Sequence, residues 1–279
     1  MALNKRTALN APKTSKVERI IKKPKPPRRA REWFSGLTNK HGYWEARFKF
    51  KKDRHGRKKM QVWLPRQDGS MKKVVLEVSS GYGLGRAVPV KAFYNKKSDS
   101  LLVITRSEAK PVKLEGQRVI WVDFRGHLVR APSEKSKVSA ANTFLIAGYK
   151  YYPEHRVVIG GDFRWFPETV ESRPHTAFGP EMARNKLETE QTSGQTVPPS
   201  FISRKGFGLA VNHLRDLDHV KQGVVKIFGH IDPSHRSMVF ARKRGFRELK
   251  KEEREFLKKI NPSFLASSHH FRLMVRDFK

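Results

Sequence analysis

The chain predicts an α+β protein in three parts: a basic arm over residues 1–32, a β-rich domain (a meander or small barrel) over 33–135, and an α/β domain over 140–279 that carries a polar insertion at 167–200. Three observations predict it. Residues 22–31 join same-sign charge to prolines that forbid a regular helix or a central strand. Period-2 alternation of apolar and polar residues dominates from Trp33 to about residue 130. Beyond about Ser139, apolar strand segments are followed by stretches with helical spacing.

Each element follows in order. Trp44, Ala46, Phe48 and Phe50 alternate with Glu45, Arg47 and Lys49, as in a half-buried strand. Asp53 to Arg57 is a turn, Met60, Val62 and Leu64 return, and Gln67-Asp68-Gly69-Ser70 turns again into residues 74–78. The result is a three-stranded antiparallel meander whose exposed face and first loop are rich in Lys and Arg. Residues 88–93, 101–105 and 119–124 are further strands, the last expected to turn at Arg125-Gly126 into 127–130. Segments 143–149 and 156–161 are apolar strands. Leu209, Val211, Leu214, Leu217 and Val220 share helical spacing, Gly223 ends that helix, and 224–230 is a strand. Residues 236–243 and 248–260 are helical, and 271–275 closes the fold as a strand.

Charge bounds the function. Fifty-nine Lys and Arg against 26 acids give a formal charge of +33, so a compact state repels itself unless a polyanion relieves it. Nucleic acid, RNA or DNA, is the expected partner, because Lys and Arg release counterions from phosphates. Such dispersed charge suits a component of a ribonucleoprotein or larger assembly, or a DNA-associated protein of a phage or mobile element. The candidate contacts are Lys22, Lys23, Lys25, Arg28, Arg29 and Arg31 in the arm, and Lys51, Lys52, Arg54, Arg57, Lys58 and Lys59 around the first hairpin. Arg242, Lys243 and Arg244 in a C-terminal helix complete the set. The arm equally suits a solvated tail or a nuclear-import address. Trp33 and Tyr43 are candidates for stacking on unpaired bases, with burial as the alternative. Eighteen Phe and five Trp exclude a chain disordered throughout.

Cysteine is absent, which excludes disulfides, thiolate metal sites and a cysteine nucleophile, and points to a reducing compartment: cytoplasm, nucleus or organelle matrix rather than secretion. No apolar run approaches the roughly 20 residues that span a bilayer, so no membrane partner is expected. The histidines show no zinc spacing. Gly81-x-Gly83-x-Gly85-Arg86 reads as a flexible loop. Two strands end alike, Asp123-Phe124-Arg125 and Asp162-Phe163-Arg164, and their aspartates are candidate Mg²⁺ ligands of a metal-dependent nuclease or else local partners of arginine.

One segment carries a resemblance. Gly206-Phe207-Gly208 opens an amphipathic helix, where backbone N–H groups favour an anion. Ser237, Phe240, Lys243, Gly245 and Phe246 then follow a strand at set spacing. Over about residues 197–260 this resembles the GCN5-related N-acetyltransferase family, whose members carry a glycine-rich pyrophosphate loop, a helix, a strand, and a short helix ending in Gly-Phe. The resemblance implies an acetyltransferase-like C-terminal domain. It also implies that Gly206, Phe207 and Gly208 bind acetyl-coenzyme A, and that the chain is an acyl-CoA-dependent N-acyltransferase acting on nucleic acid or something linked to it. Ser203, Ser234 and Ala241 depart from the family pattern, Ala241 standing where a general-acid Tyr is common. Glu188, Glu190 and His230 are candidate bases for such a reaction, none fixed by a motif.

Overall fold

At Ala46 the chain leaves one sheet and enters another. The computed structural model describes residues 42–66, 68–79, 87–165, 207–266 and 271–278, so the arm, the Gly81–Arg86 loop and the 167–200 insertion lie outside the described residues. Strand β1 (Tyr43–Glu45) pairs with β5 (Val88–Asn95), and Ala46 donates its N–H to the Ala92 carbonyl at 2.9 Å. One residue later β2 (Arg47–Lys52) begins a second sheet with β3 (Lys58–Pro65), β4 (Met71–Val78) and β9 (Lys137–Val138), in the order β2-β3-β4-β9. The expected meander is thus β2–β4, and Trp44 belongs to the other sheet.

That larger sheet has ten strands among the described residues. It adds β6 (Ser100–Glu108), β7 (Val112–Leu114), β8 (Gln117–Arg130), β10 (Thr143–Tyr152), β11 (Val157–Trp165), β12 (Lys226–Ile231), β13 (Arg247–Glu248) and β14 (Arg272–Asp277). Their order is β1-β5-β6-β8-β10-β11-β12-β14-β13, with β7 on β8. The boundary expected between residues 135 and 140 therefore falls between strands that share a sheet, since β8 and β10 are neighbours. The hairpin expected at Arg125-Gly126 does not form. Strand β8 runs unbroken for 14 residues, paired with β6 on one side and β10 on the other. Gly126 is there for space: a Cβ on it would come within 2.9 Å of the Phe144 ring and 3.0 Å of the Phe207 ring.

Three cores hold the layers. Ala46, Met60, Val62, Leu64, Val74 and Leu76 pack on Ala92, Tyr94, Leu101, Val103 and Val129, making a sandwich of the small sheet on the N-terminal part of the large one. On the opposite face helix α1 (Phe207–Lys221) lays Phe207, Ala210 and Val211 over Phe124, Phe144, Leu145 and Tyr149. After helix α2 (His235–Lys243), helices α3 (Lys251–Ile260) and α4 (Pro262–Ala266) cover Val119, Tyr152, Ile159 and Phe228 with Leu257, Ile260 and Phe264. Each such side chain contributes about 1.5–3 kcal/mol by leaving water. The fold is mixed α+β and strand-rich. Among the described residues no helix is long and apolar enough to cross a membrane.

Candidate functional site

The small sheet has one face on the core and one outside. Strand alternation sends Phe48, Phe50, Met60, Val62, Leu64, Val74 and Leu76 inward, which turns Arg47, Lys49 and Lys51 of β2 outward, about 7 Å apart along the strand. Register aligns the outward residues into rows. Arg47 lies opposite Trp63, and Trp63 opposite Lys73; Lys49, Gln61 and Val75 form the next row. Lys51, Lys59, Glu77 and Lys137 form the last. Among the described residues six cations thus share the face with one acid, Glu77, which Lys59 approaches at 3.3 Å. Half-buried Trp63 sits on the middle strand in the first row, with the Arg47 guanidinium carbon and the Lys49 ammonium each 5.9 Å from its ring centroid. These lie at the outer edge of the cation–π range. Such a face can neutralise phosphates and offer a ring to a base.

Of the hairpin residues expected to touch phosphate, only Lys51 and Lys59 are on this face. Lys52 and Lys58 pair in register on its reverse, at the hairpin end. Arg57 is bound to Asp53 at 2.8 Å, and Arg54 donates to His55 Nε2 at 3.1 Å. The arm residues Lys22 to Arg31 lie outside the described residues. In α2, Arg242 and Lys243 are exposed, whereas Arg244 donates to both Asp216 oxygens at 2.9 and 3.1 Å. Arg276 reaches the same carboxylate at 2.9 Å. Burial would raise the Asp216 pKa, but the two guanidiniums outweigh it and hold the carboxyl below its ordinary value. Arg244 is therefore committed to the fold. Tyr43 is buried with its hydroxyl 3.3 Å from Ser100 Oγ, so it is no stacking platform; Trp33 lies outside the described residues. Alternation alone turns Arg47 and Lys49 outward. Trp63, Lys73 and Lys137 join them only through cross-strand register, which the sequence does not spell out.

The C-terminal half has its own geometry. Strands β11 and β12 pair in parallel only over Val157, Val158 and Ile159 with Lys226, Ile227 and Phe228. Gly160 then takes a φ of +75°, the β10–β11 register shifts, and β11 follows β10 while β12 continues along β14. The two parallel strands so part towards their carboxyl ends. Helix α1 joins them, and its first residue, Phe207, meets Phe144 at 5.1 Å, at the end of the sheet where β11 finishes. Gly208 is in its first turn, and Gly206 lies outside the described residues. The carboxyl ends of parallel strands beside a helix N-terminus are where open sheets commonly hold anionic ligands.

Gly148 lies between Asp123 and Asp162 in register, so the two aspartates are two strands apart in one row. Asp123 is 4 % exposed and accepts from Arg125 at 3.2 Å. A Cβ on Gly148 would come within 2.6 Å of its carboxylate. Among the described residues no cluster of three or more His, Asp or Glu is arranged to hold a metal ion. His230, a candidate base, points Nε2 at the Phe264 carbonyl at 3.0 Å and stacks on the Phe264 ring; Glu188 and Glu190 lie outside the described residues. Compared with models of known protein families the chain matches none, and no curated protein matches it in sequence.

Proposed function

We propose that this chain is a nucleic-acid-binding protein that carries a phosphodiester strand across the outward face of its small sheet. Arg47, Lys49, Lys51, Lys59, Lys73 and Lys137 neutralise phosphates, and Trp63 stacks on an unpaired base. The observation that carries the reading is the composition of that face among the described residues: six cations, one acid and an indole in three cross-strand rows. Phosphate contacts of this kind position a strand and carry little sequence information. The basic arm and the exposed Arg242 and Lys243 add further charge. The test is binding of single-stranded oligonucleotides to the full chain across a salt series. Affinity should fall steeply with salt, with log Kd rising by roughly 0.7 per neutralised phosphate for each tenfold of salt. Salt-independent binding, or none, overturns the reading.

A second reading is favoured by a separate observation. Helix α1, strand β12, short helix α2 and Gly245-Phe246 follow one another in the order that the resemblance to GCN5-related N-acetyltransferases implies, beside strands that part at their carboxyl ends. In that reading Gly206, Phe207 and Gly208 hold the pyrophosphate of acetyl-coenzyme A, and the acyl acceptor is nucleic acid or attached to it. Ala241, buried at 3 % exposure, supplies no general acid, so any proton must move through another group. Calorimetry with acetyl-coenzyme A is the check: heat that Gly206→Glu abolishes supports the reading, and no heat removes it.

A further inference from the structure

The sandwich has an open end, and a cavity of 280 Å³ lies there between the β3–β4 turn and the β5–β6 turn. Leu64 and Pro65 give it an apolar wall, and three cations, Arg66, Lys72 and Lys96, line the rest. Its single acid, Asp99, already accepts the Tyr94 hydroxyl proton at 2.7 Å. Lys72 reaches the Pro132 carbonyl at 3.5 Å, and among the described residues no salt bridge joins Arg66, Lys72 or Lys96 to a carboxylate, while Asp68 in the β3–β4 turn is held below its ordinary pKa first by its Ser70 hydrogen bonds and then by the Arg66 charge.

Two features tie this cavity to the basic face. Lys72 and Lys73 are consecutive on β4, so Lys73 points outward beside Trp63 while Lys72 turns into the cavity. The cavity lies behind the face, so a strand carried on the Arg47–Trp63–Lys73 row would reach it only by passing around the β3–β4 end of the sheet. Trp44 stands opposite Tyr94 in the β1–β5 register, with side chains about 5 Å apart at their roots, and is 63 % exposed. Tyr94 lines the cavity, so an exposed indole stands one strand away from its cations, an arrangement that suits a base and a phosphate together.

We propose that this cavity seats the terminal phosphate monoester of the nucleic-acid strand carried on the sheet face, with Arg66, Lys72 and Lys96 around the phosphate and Trp44 against the last base. The inference rests on the nucleic-acid reading of that face. A monoester carries close to two charges at neutral pH where an internal diester carries one, which suits three cations with one acid already engaged. A concave site also suits an end, while the flat face suits a run of linked nucleotides.

The test compares one short oligonucleotide with hydroxyl ends, with a 5′-phosphate and with a 3′-phosphate, by fluorescence anisotropy on the full chain. A terminal phosphate at one end should tighten binding about tenfold, the worth of one net charge-assisted contact. Lys72→Gln with Lys96→Gln should erase that preference while binding of the hydroxyl-ended strand is kept, and Arg66→Gln should weaken it independently. Equal affinity for all three strands overturns the proposal and leaves the sheet face standing. Inorganic phosphate or a nucleoside monophosphate competing as well as the phosphorylated strand also overturns it, assigning the cavity to a free phosphate. Failure of every oligonucleotide to bind removes the sheet-face reading, and this proposal with it.

Discussion

The outward face of the small sheet and the underside of α1 are both crowded with cations, but only one of them supplies its own counter-charges. Beneath α1, Asp216 holds Arg244 and Arg276, and Asp218 takes Arg106 at 2.9 Å and the Tyr149 hydroxyl at 2.5 Å. On the sheet face, six cations share Glu77. Charge that the fold has matched is architecture, and charge that it leaves unmatched is available to a partner. Net charge counts both alike, which is why +33 overstates the charge left open to a partner and does not locate it.

The comparison would break first at Asp216. Removing that carboxylate by Asp216→Asn leaves two guanidiniums facing each other; a fully buried pair loses about 3–5 kcal/mol in this way, and these partly exposed groups should lose less, on the order of 2–3 kcal/mol. Urea unfolding should show the loss, while nucleic-acid affinity of the folded fraction stays unchanged. An unaltered stability would mean that the paired region is not architecture.

His219 sharpens the same contrast through pH. It is 2 % exposed, between Tyr149 at 4.5 Å and Phe278 at 5.7 Å. Burial, then the Arg215 guanidinium, push its pKa down to about 3, with Asp216 opposing them. The unfolded chain takes up a proton near pH 6.5 that the folded chain refuses until about pH 3. Stability should therefore fall by about 1.4 kcal/mol per pH unit as pH drops through that window. His219→Phe should remove this contribution, read as a flatter dependence of the urea midpoint between pH 6.5 and 5.

On the unmatched side, Trp63→Ala should weaken single-strand binding by about 1–3 kcal/mol if its ring is the stacking element proposed above, with little change in unfolding midpoint. Arg47→Gln, Lys49→Gln and Lys73→Gln together should lower the salt slope by roughly 2, at 0.7 per lost contact. A triple variant with the original slope would place the phosphates elsewhere.

Much of the framework was legible from local pattern. The β2–β4 meander, the core strand segments, α1 and its stop at Gly223 follow from periodicity and glycine, and Gly223 indeed takes a φ of +69°. What local pattern could not supply is everything set by partners far along the chain. Gly126 carries a turn signal, yet it is a mid-strand glycine because Phe207, 81 positions later, packs on it. Glu253 looks like one of several exposed helix charges. It is instead buried against Arg247 and Lys226, and the Arg247 hydrogen bond, followed by that of Lys226, brings its pKa down to about 2. The candidate face was half visible: alternation turns Arg47 and Lys49 outward, but Lys137 reaches it through a two-residue parallel strand that no periodicity announces.

Strand β8 has a consequence for synthesis. As the chain emerges from the ribosome, β8 can pair with β6 at once, but its other border waits for β10, and the cover on that side of the sheet waits for Phe207 and the helix behind it. Until then the nascent N-terminal half displays an open row of amides and carbonyls and a bare aromatic surface, both invitations to self-association. The protein is thus obliged to finish its second half before its first is safe.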